Sequence, residues 1–357
     1  MRSYHADPGA GIEGLTLREH ETPTPGPRQV VVRVHANSLS ARELMVLRGD
    51  YVLPVKRDVV PVSDAAGEVV EIGEGVSRVA PGDSVAATLF PSWIDGPFGL
   101  DVAAQLGASL DGTLAELVVL DENGLVEIPD ALSFEEAATL PCAAVTAWNA
   151  LTGGRGVLAG ETVLTLGSGG VSLFAIQFAK HLGARVIATT SSDEKANRLH
   201  SLGADEVIDY RETPDWHDAV REFTGGTGAE LVVDVAGALE RSLKSVAMYG
   251  EVAYVGLLSE EATSHLDPRT LFYACATVRT VAVGSRAQFE AMNRAIEANW
   301  IKPIVDRVFP FNDAAGAYRY YESKQPFGKV VIGPGGRSGN DSRAEESAAT
   351  FEEEEDQ

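Results

Sequence analysis

The chain has 357 residues, enough for two domains with separate cores, and its 52 acidic against 29 basic residues leave a formal charge of -23. That balance argues against nucleic acid and anionic membrane surfaces as partners, and no apolar run reaches the ~18 residues that a membrane-spanning helix needs. Two cysteines, Cys142 and Cys275, are too few for a disulfide framework, so a reducing cytoplasm is the expected compartment.

Residues 1–20 are polar and hold no apolar signal core. Residues 29–35 alternate around Val30, Val31, Val32 and Val34, and short apolar runs recur at 67–73, 81–86, 114–120 and 125–128, punctuated by Gly and Pro. That pattern predicts a compact β domain. From residue 162 the period changes. Strands are expected at 162–166, 184–189, 206–208, 231–234, 250–255 and 278–283, alternating with helices at 173–182, 193–202, 214–223 and 239–248. This alternation predicts an α/β, doubly wound parallel sheet. An amphipathic helix at 288–299 and a strand at 328–332 follow, so the chain is expected to return to its first domain. The expected division is 1–128, 129–283 and 284–333, with 334–357 a disordered acidic tail. The tail carries eight acids against two bases, only six of the twenty-three net negative charges, so acidity is general.

The most informative stretch is Gly167-Ser168-Gly169-Gly170-Val171-Ser172, between an apolar strand and a helix. It fits the dinucleotide fingerprint G-x-G-x-x-G/A with Ser172 in the third place. Gly167 permits the turn, Gly169 lets backbone approach a pyrophosphate, and Ser172 is small enough for the helix to pack on the strand. Leu166 stands where a nucleophile elbow needs glycine, so Ser168 belongs to phosphate binding. The seven histidines are scattered, with no metal-binding spacing among them.

The order of a β domain, a fingerprint and a return resembles the medium-chain dehydrogenase/reductase superfamily, which includes zinc alcohol dehydrogenases and quinone oxidoreductases. The matching motifs are Asp64-Ala65-Ala66-Gly67-Glu68-Val69-Val70, Val79-Ala80-Pro81-Gly82-Asp83-Ser84-Val85, Ala137-Ala138-Thr139-Leu140-Pro141-Cys142, Thr146-Ala147-Trp148 and Leu202-Gly203-Ala204-Asp205. The resemblance implies a GroES-like catalytic domain plus a Rossmann domain, homodimers through the edge of the latter, and a small-molecule acceptor bound where the domains meet. It places Thr146 near a nicotinamide, Gly256 and Leu257 along its carboxamide, and Ser285 and Arg286 in a closing wall. The second strand ends in neutral Thr190, Ser191 and Ser192 where an NAD-selective pocket usually has a carboxylate. By resemblance Ser191 or Ser192, Lys195 and Tyr210 would receive the 2′-phosphate of NADPH; Asp193 is the feature that would suit NAD, and Ser192 could instead cap the next helix.

In the zinc branch a cysteine, a His-Glu pair and a later cysteine supply metal ligands. Here Ser40 takes the first place and Ser63-Asp64 the second, leaving Cys142, read as a small buried residue. No zinc is therefore expected. Candidate groups for the acceptor site are Ser40, Arg42, Glu43 and Asp64, with Tyr51 and Trp93 beside them. Arg42 would stabilise an enolate or form a salt bridge to Glu43 or Asp64. The expected activity is zinc-independent, NADPH-dependent reduction of a quinone, enone or related carbonyl. The alternatives are an alcohol dehydrogenase or aldehyde reductase of the same superfamily, and a low-turnover nucleotide sensor. Lysine is scarce, seven residues in all, and with the general acidity this resembles the salt-screened surfaces of proteins from salt-loving organisms.

Overall fold

A computed structural model describes residues 1–256, 266–323 and 325–333. The chain opens with an antiparallel ribbon, β1 (Arg2–His5) and β2 (Thr16–Glu19). Strand β3 (Gln29–Leu39) runs into helix α1 (Ala41–Arg48). Then come β4 (Asp64–Ile72), β5 (Ser84–Ala87), β6 (Leu117–Asp121), β7 (Leu125–Glu127) and the single turn α2 (Phe134–Ala137). The middle of the chain alternates: α3 (Val145–Thr152), β8 (Thr162–Thr165), α4 (Gly170–His181), β9 (Arg185–Thr190), α5 (Asp193–Ser201), β10 (Glu206–Asp209), α6 (Trp216–Phe223), β11 (Ala229–Asp234), α7 (Leu239–Ser245), β12 (Val246–Tyr254), α8 (Pro268–Ala274), β13 (Thr277–Thr280) and α9 (Arg286–Asn299). It closes with β14 (Val305–Pro310), α10 (Ala314–Glu322) and β15 (Lys329–Gly333).

The described residues form two compact units, one within 1–92, 100–141 and 302–333, the other within 93–99 and 142–301. The first is the β-rich one. Its sheet runs β14-β15-β3-β4-β5-β7, with β6 also on β3. The valine run of β3 is β-branched and suits a pleated strand. Val30 and Val32 pack with Val69, Val85, Val118 and Leu120 in one core. A second core gathers Leu39, Leu44, Leu47, Tyr318, Val330 and Ile332.

The second unit holds a six-stranded, all-parallel sheet in the order β10-β9-β8-β11-β12-β13. This is the doubly wound arrangement, with its crossover point at β8 and β11. Leu164, Ile187, Val232 and Val252 are fully buried, as strands covered on both faces require.

The expected boundaries near 129 and 284 move to 141/142 and 301/302. The physical reason is α9, which buries Phe289, Met292 and Ile296 and packs on α3, so it belongs with the parallel sheet. The helix expected at 239–248 stops at Ser245, because Val246 already pairs with Ala229 as the start of β12. Leu257 and the acidic tail lie outside the described residues.

Candidate functional site

At the end of β8 the backbone turns through Gly167, whose φ of 79° is left-handed and favours glycine. Gly169 then caps α4 without any side chain bonding the first-turn amides. A Cβ on Gly169 would meet no atom of the described residues within 4 Å. Two bonds hold the turn: Ser172 Oγ donates to Leu166 O at 2.7 Å, and the Gly167 amide donates to Thr189 Oγ1 at 3.1 Å. Among the described residues no side chain caps the head of this twelve-residue helix, and such a helix start fits a pyrophosphate.

Beside the turn, β9 ends at Thr190, whose buried Oγ1 has no hydrogen-bond partner among the described residues. The Tyr210 amide donates to Thr190 O at 3.0 Å, directly after β10. Ser191, Ser192, Lys195 and Tyr210 therefore gather at the ends of these two strands. Ser192 also caps α5, its Oγ accepting the Lys195 amide at 3.4 Å, and Asp193 is exposed in the first turn. An orphaned hydroxyl among neutral side chains suits a sugar-phosphate, so the residues fit a nicotinamide dinucleotide.

Thr146 Oγ1 donates to Cys142 O at 2.6 Å from the first turn of α3. Asn149 Nδ2 donates to Val283 O at 2.7 Å, which ties α3 to the corner of Gly284, Ser285 and Arg286. There Ser285 caps α9 through a capping box with Gln288, and Arg286 Nε lies 3.3 Å from Glu290. Gly256 follows β12, and a Cβ there would stand 2.3 Å from the Val235 carbonyl oxygen, so no side chain fits. Cys142 is half-buried, not buried as expected.

The β-rich unit assembles the other candidates at three strand ends. The register sets Ser38 of β3 opposite Asp64 of β4, and Leu39 opposite Val330 of β15. Ser40, Asp64 and Lys329 therefore meet. Lys329, only 2% exposed, donates from Nζ to Leu39 O at 2.6 Å and Ser40 Oγ at 2.7 Å, and stands 3.6 Å from Asp64 Oδ2. Ser63 Oγ donates to Asp64 Oδ1 at 2.9 Å and lies 3.1 Å from Glu43 Oε1. Val62, just before, has a φ of 70°, strained for a β-branched residue and held by Thr113, which donates to Val62 O from N at 2.7 Å and Oγ1 at 3.0 Å.

Arg42 forms the expected salt bridge to Glu43. Its Nη1 donates to Glu43 Oε1 at 2.7 Å and Nη2 to Leu106 O at 3.1 Å, while its guanidinium lies 5.0 Å from the Tyr51 ring centre. Lys329 and Ser63 were not among the candidates expected for the acceptor site. The signal available for Lys329 was a lysine opening the apolar strand Val330-Val331-Ile332 in a lysine-poor chain.

For zinc the donor set is poor. Ser40 and Ser63 offer neutral hydroxyls, and Lys329 already faces Ser40 and Asp64 with an ammonium. Among the described residues no group of three or more His, Cys, Asp or Glu side chains is placed to hold a metal ion.

Residues 26–130 match the family described as alcohol dehydrogenase GroES-like domain, and 170–298 the family described as zinc-binding dehydrogenase. A zinc-type alcohol dehydrogenase-like protein of Schizosaccharomyces pombe is 40% identical over 341 residues, covering 93% of this chain and 99% of the relative. An acryloyl-coenzyme A reductase of Metallosphaera sedula is 30% identical, covering 90% and 96%. A crystal structure of a NAD-dependent alcohol dehydrogenase superposes with a TM-score of 0.85 at 36% identity, covering 94% of this chain and all of that one.

Burial pushes the Asp64 carboxyl up from 3.8 to about 6, against the pull of the Lys329 ammonium and with the push of the Glu43 carboxylate. Between about pH 4 and 6 the folded chain thus holds a proton that the unfolded chain has released. Over that window Asp64's contribution to stability falls as pH rises, by on the order of 3 kcal/mol. Asp64→Asn removes this dependence. In urea unfolding at pH 4 and pH 7, the stability gap between variant and parent is expected to shift toward the variant by that amount. A gap that stays constant would contradict the raised value.

Proposed function

Since the chain belongs to the medium-chain dehydrogenase/reductase superfamily and is an NAD(P)H-dependent oxidoreductase, we propose that it reduces a conjugated carbonyl, an enone, quinone or related acceptor, with NADPH and without zinc. The observation that carries this reading is the Lys329 ammonium beside Ser40 and Asp64, where a metal-dependent relative needs thiolate, imidazole or carboxylate donors facing a cation. Oxidising a simple alcohol requires removal of a hydroxyl proton, which a metal eases by stabilising the alkoxide. A conjugated acceptor spreads its developing charge, and hydrogen-bond donors then suffice. The acryloyl-coenzyme A reductase relative is named for a substrate of this electronic kind.

When bound, the coenzyme supplies the hydride. The chain's residues hold and orient it. Amides at the head of α4 take the pyrophosphate, and Ser191, Ser192, Lys195 and Tyr210 take the 2′-phosphate, with Lys195 the cation. The second reading, an alcohol dehydrogenase or aldehyde reductase, is favoured by the names of two relatives. To separate them, the protein is dialysed against a chelator and assayed with an enone plus NADPH and with a primary alcohol plus NADP⁺. Enone reduction is expected to survive. Loss restored by zinc, or turnover of the alcohol alone, would replace the first reading by the second.

For the coenzyme, kcat/KM with NADPH is expected to exceed that with NADH by about tenfold or more, and Lys195→Ala to remove about tenfold from NADPH alone, the scale of one charge-assisted hydrogen bond. Preference for NADH would reverse the assignment. We also propose a homodimer. Strand β13 is an open sheet edge, and nearby Phe272 and Tyr273 are 77% and 73% exposed. Light scattering is expected to give twice the 37.8 kDa chain mass and Phe272→Asp to give monomers; a parental monomer would dismiss the dimer.

A further inference from the structure

We propose that the β-rich unit carries a second small-molecule site, for an organic acid with an apolar body, in which Arg33 pairs with the carboxylate. The inference is independent of the proposed reduction. The cavity measures about 620 Å³ and is lined by residues of this unit alone, among them Arg2, Arg33, His35, Leu117, Phe311 and Ile332. Neither the cluster of Lys329, Ser40 and Asp64 nor the head of α4 lines it.

Strand pairing brings the walls together. On β3, Arg33 stands opposite Glu68 of β4 on one side and Leu117 of β6 on the other, and Asn37 stands opposite Ile332 of β15. One wall is fixed and its charge is balanced. The Glu116 carboxylate accepts the Arg2 amide at 2.7 Å and the Arg2 guanidinium at 2.7 and 2.8 Å, while Arg2 Nη1 donates to Asn312 Oδ1 at 2.9 Å. That guanidinium also lies 5.5 Å from the centre of the Phe311 ring, which packs edge-on against Tyr4. Arg33 is different. Among the described residues its side chain makes no hydrogen bond and no ion pair, although acids outnumber bases 52 to 29 along the chain. Glu68, its register partner, faces His35 at 3.9 Å instead. Arg2 and Arg33 against Glu116 alone leave the lining positive on a chain of net charge -23.

The ligand chemistry follows from these two features. A carboxylate meets a guanidinium through two parallel N–H···O bonds, and the Arg33 donors are not engaged by any protein acceptor. Leu117, Phe311 and Ile332 offer apolar surface for a hydrocarbon body. A cavity of this size accommodates a small organic ligand. A bare inorganic anion would leave the apolar surface uncovered, and a neutral hydrocarbon would leave the guanidinium without an acceptor. Together they select an acid with a hydrophobic body. Arg33 is exposed, so binding breaks no bond of the fold.

The test titrates the full chain calorimetrically, at neutral pH and low salt, with 3-phenylpropionate and with its uncharged amide. The acid is expected to bind with a dissociation constant of about 1 mM or tighter, and the amide about tenfold or more weaker, the scale of one charge-assisted pair. Arg33→Met is expected to weaken the acid by the same factor and to leave the amide and the melting temperature unchanged. Arg33→Lys, which keeps the charge without the fork, is expected to recover part of the loss. No binding of the acid below about 10 mM, equal affinity for acid and amide, or an unaffected Arg33→Met would overturn the inference. Displacement of the acid by NADPH would overturn it too, since the acid would then occupy the coenzyme site. Were Glu352→Gln, Glu353→Gln, Glu354→Gln and Glu355→Gln together to raise the affinity about tenfold, the chain's own acidic end would replace a free acid as the occupant. Enone reduction, assayed separately, decides the proposed activity and has no bearing on this result.

Discussion

An ammonium with almost no access to water is the constraint around which the β-rich unit is organised. Taking a lysine out of water costs several kcal/mol unless its hydrogens find acceptors and its charge a partner. Lys329 finds all of these at once, a carbonyl, a hydroxyl and a carboxylate, but only because three strands deliver them. β3 must lie between β4 and β15 in one register; a slip of one residue would turn Asp64 or Lys329 to the opposite face. The second layer follows from the first. Asp64 needs Ser63, Ser63 faces Glu43, and the buried Glu43 needs Arg42, which is anchored in turn by Leu106 O.

The parallel-sheet unit deals with charge differently. It keeps no buried cation at its turn. Backbone amides at the head of α4 provide the positive end, and among the described residues no atom lies within 4 Å of a Cβ on Gly169. On a chain of net charge -23 a polyanionic coenzyme approaches against a repulsive field, so attraction has to be local and short in range. Helix amides meet that condition, and salt in the medium would ease the approach.

Much of the fold was legible along the chain. The alternation of strands and helices after residue 162 and the glycine turn are local signals, readable within windows of about ten to thirty residues. The grouping of Ser191, Ser192, Lys195 and Tyr210 came from the family resemblance, and the pairing of β9 with β10 sets the ends of those two strands side by side. Less legible were the unit boundaries, because whether α9 packs on α3 depends on which apolar faces meet. The role of Arg42 was equally open: its side chain reaches several acceptors, and only the placement of Glu43 and Leu106 selects among them.

By itself, then, the amino-acid order determined a doubly wound sheet with a glycine turn at a helix start and a separate β-rich unit. All of these depend on residue type and short spacing. Only the tertiary structure decided that Lys329, 289 positions from Ser40, shares its pocket of buried charge. Strand pairing over such a separation leaves no periodic trace in sequence. A lysine's destination depends on whether distant strands bring it enough acceptors to replace water.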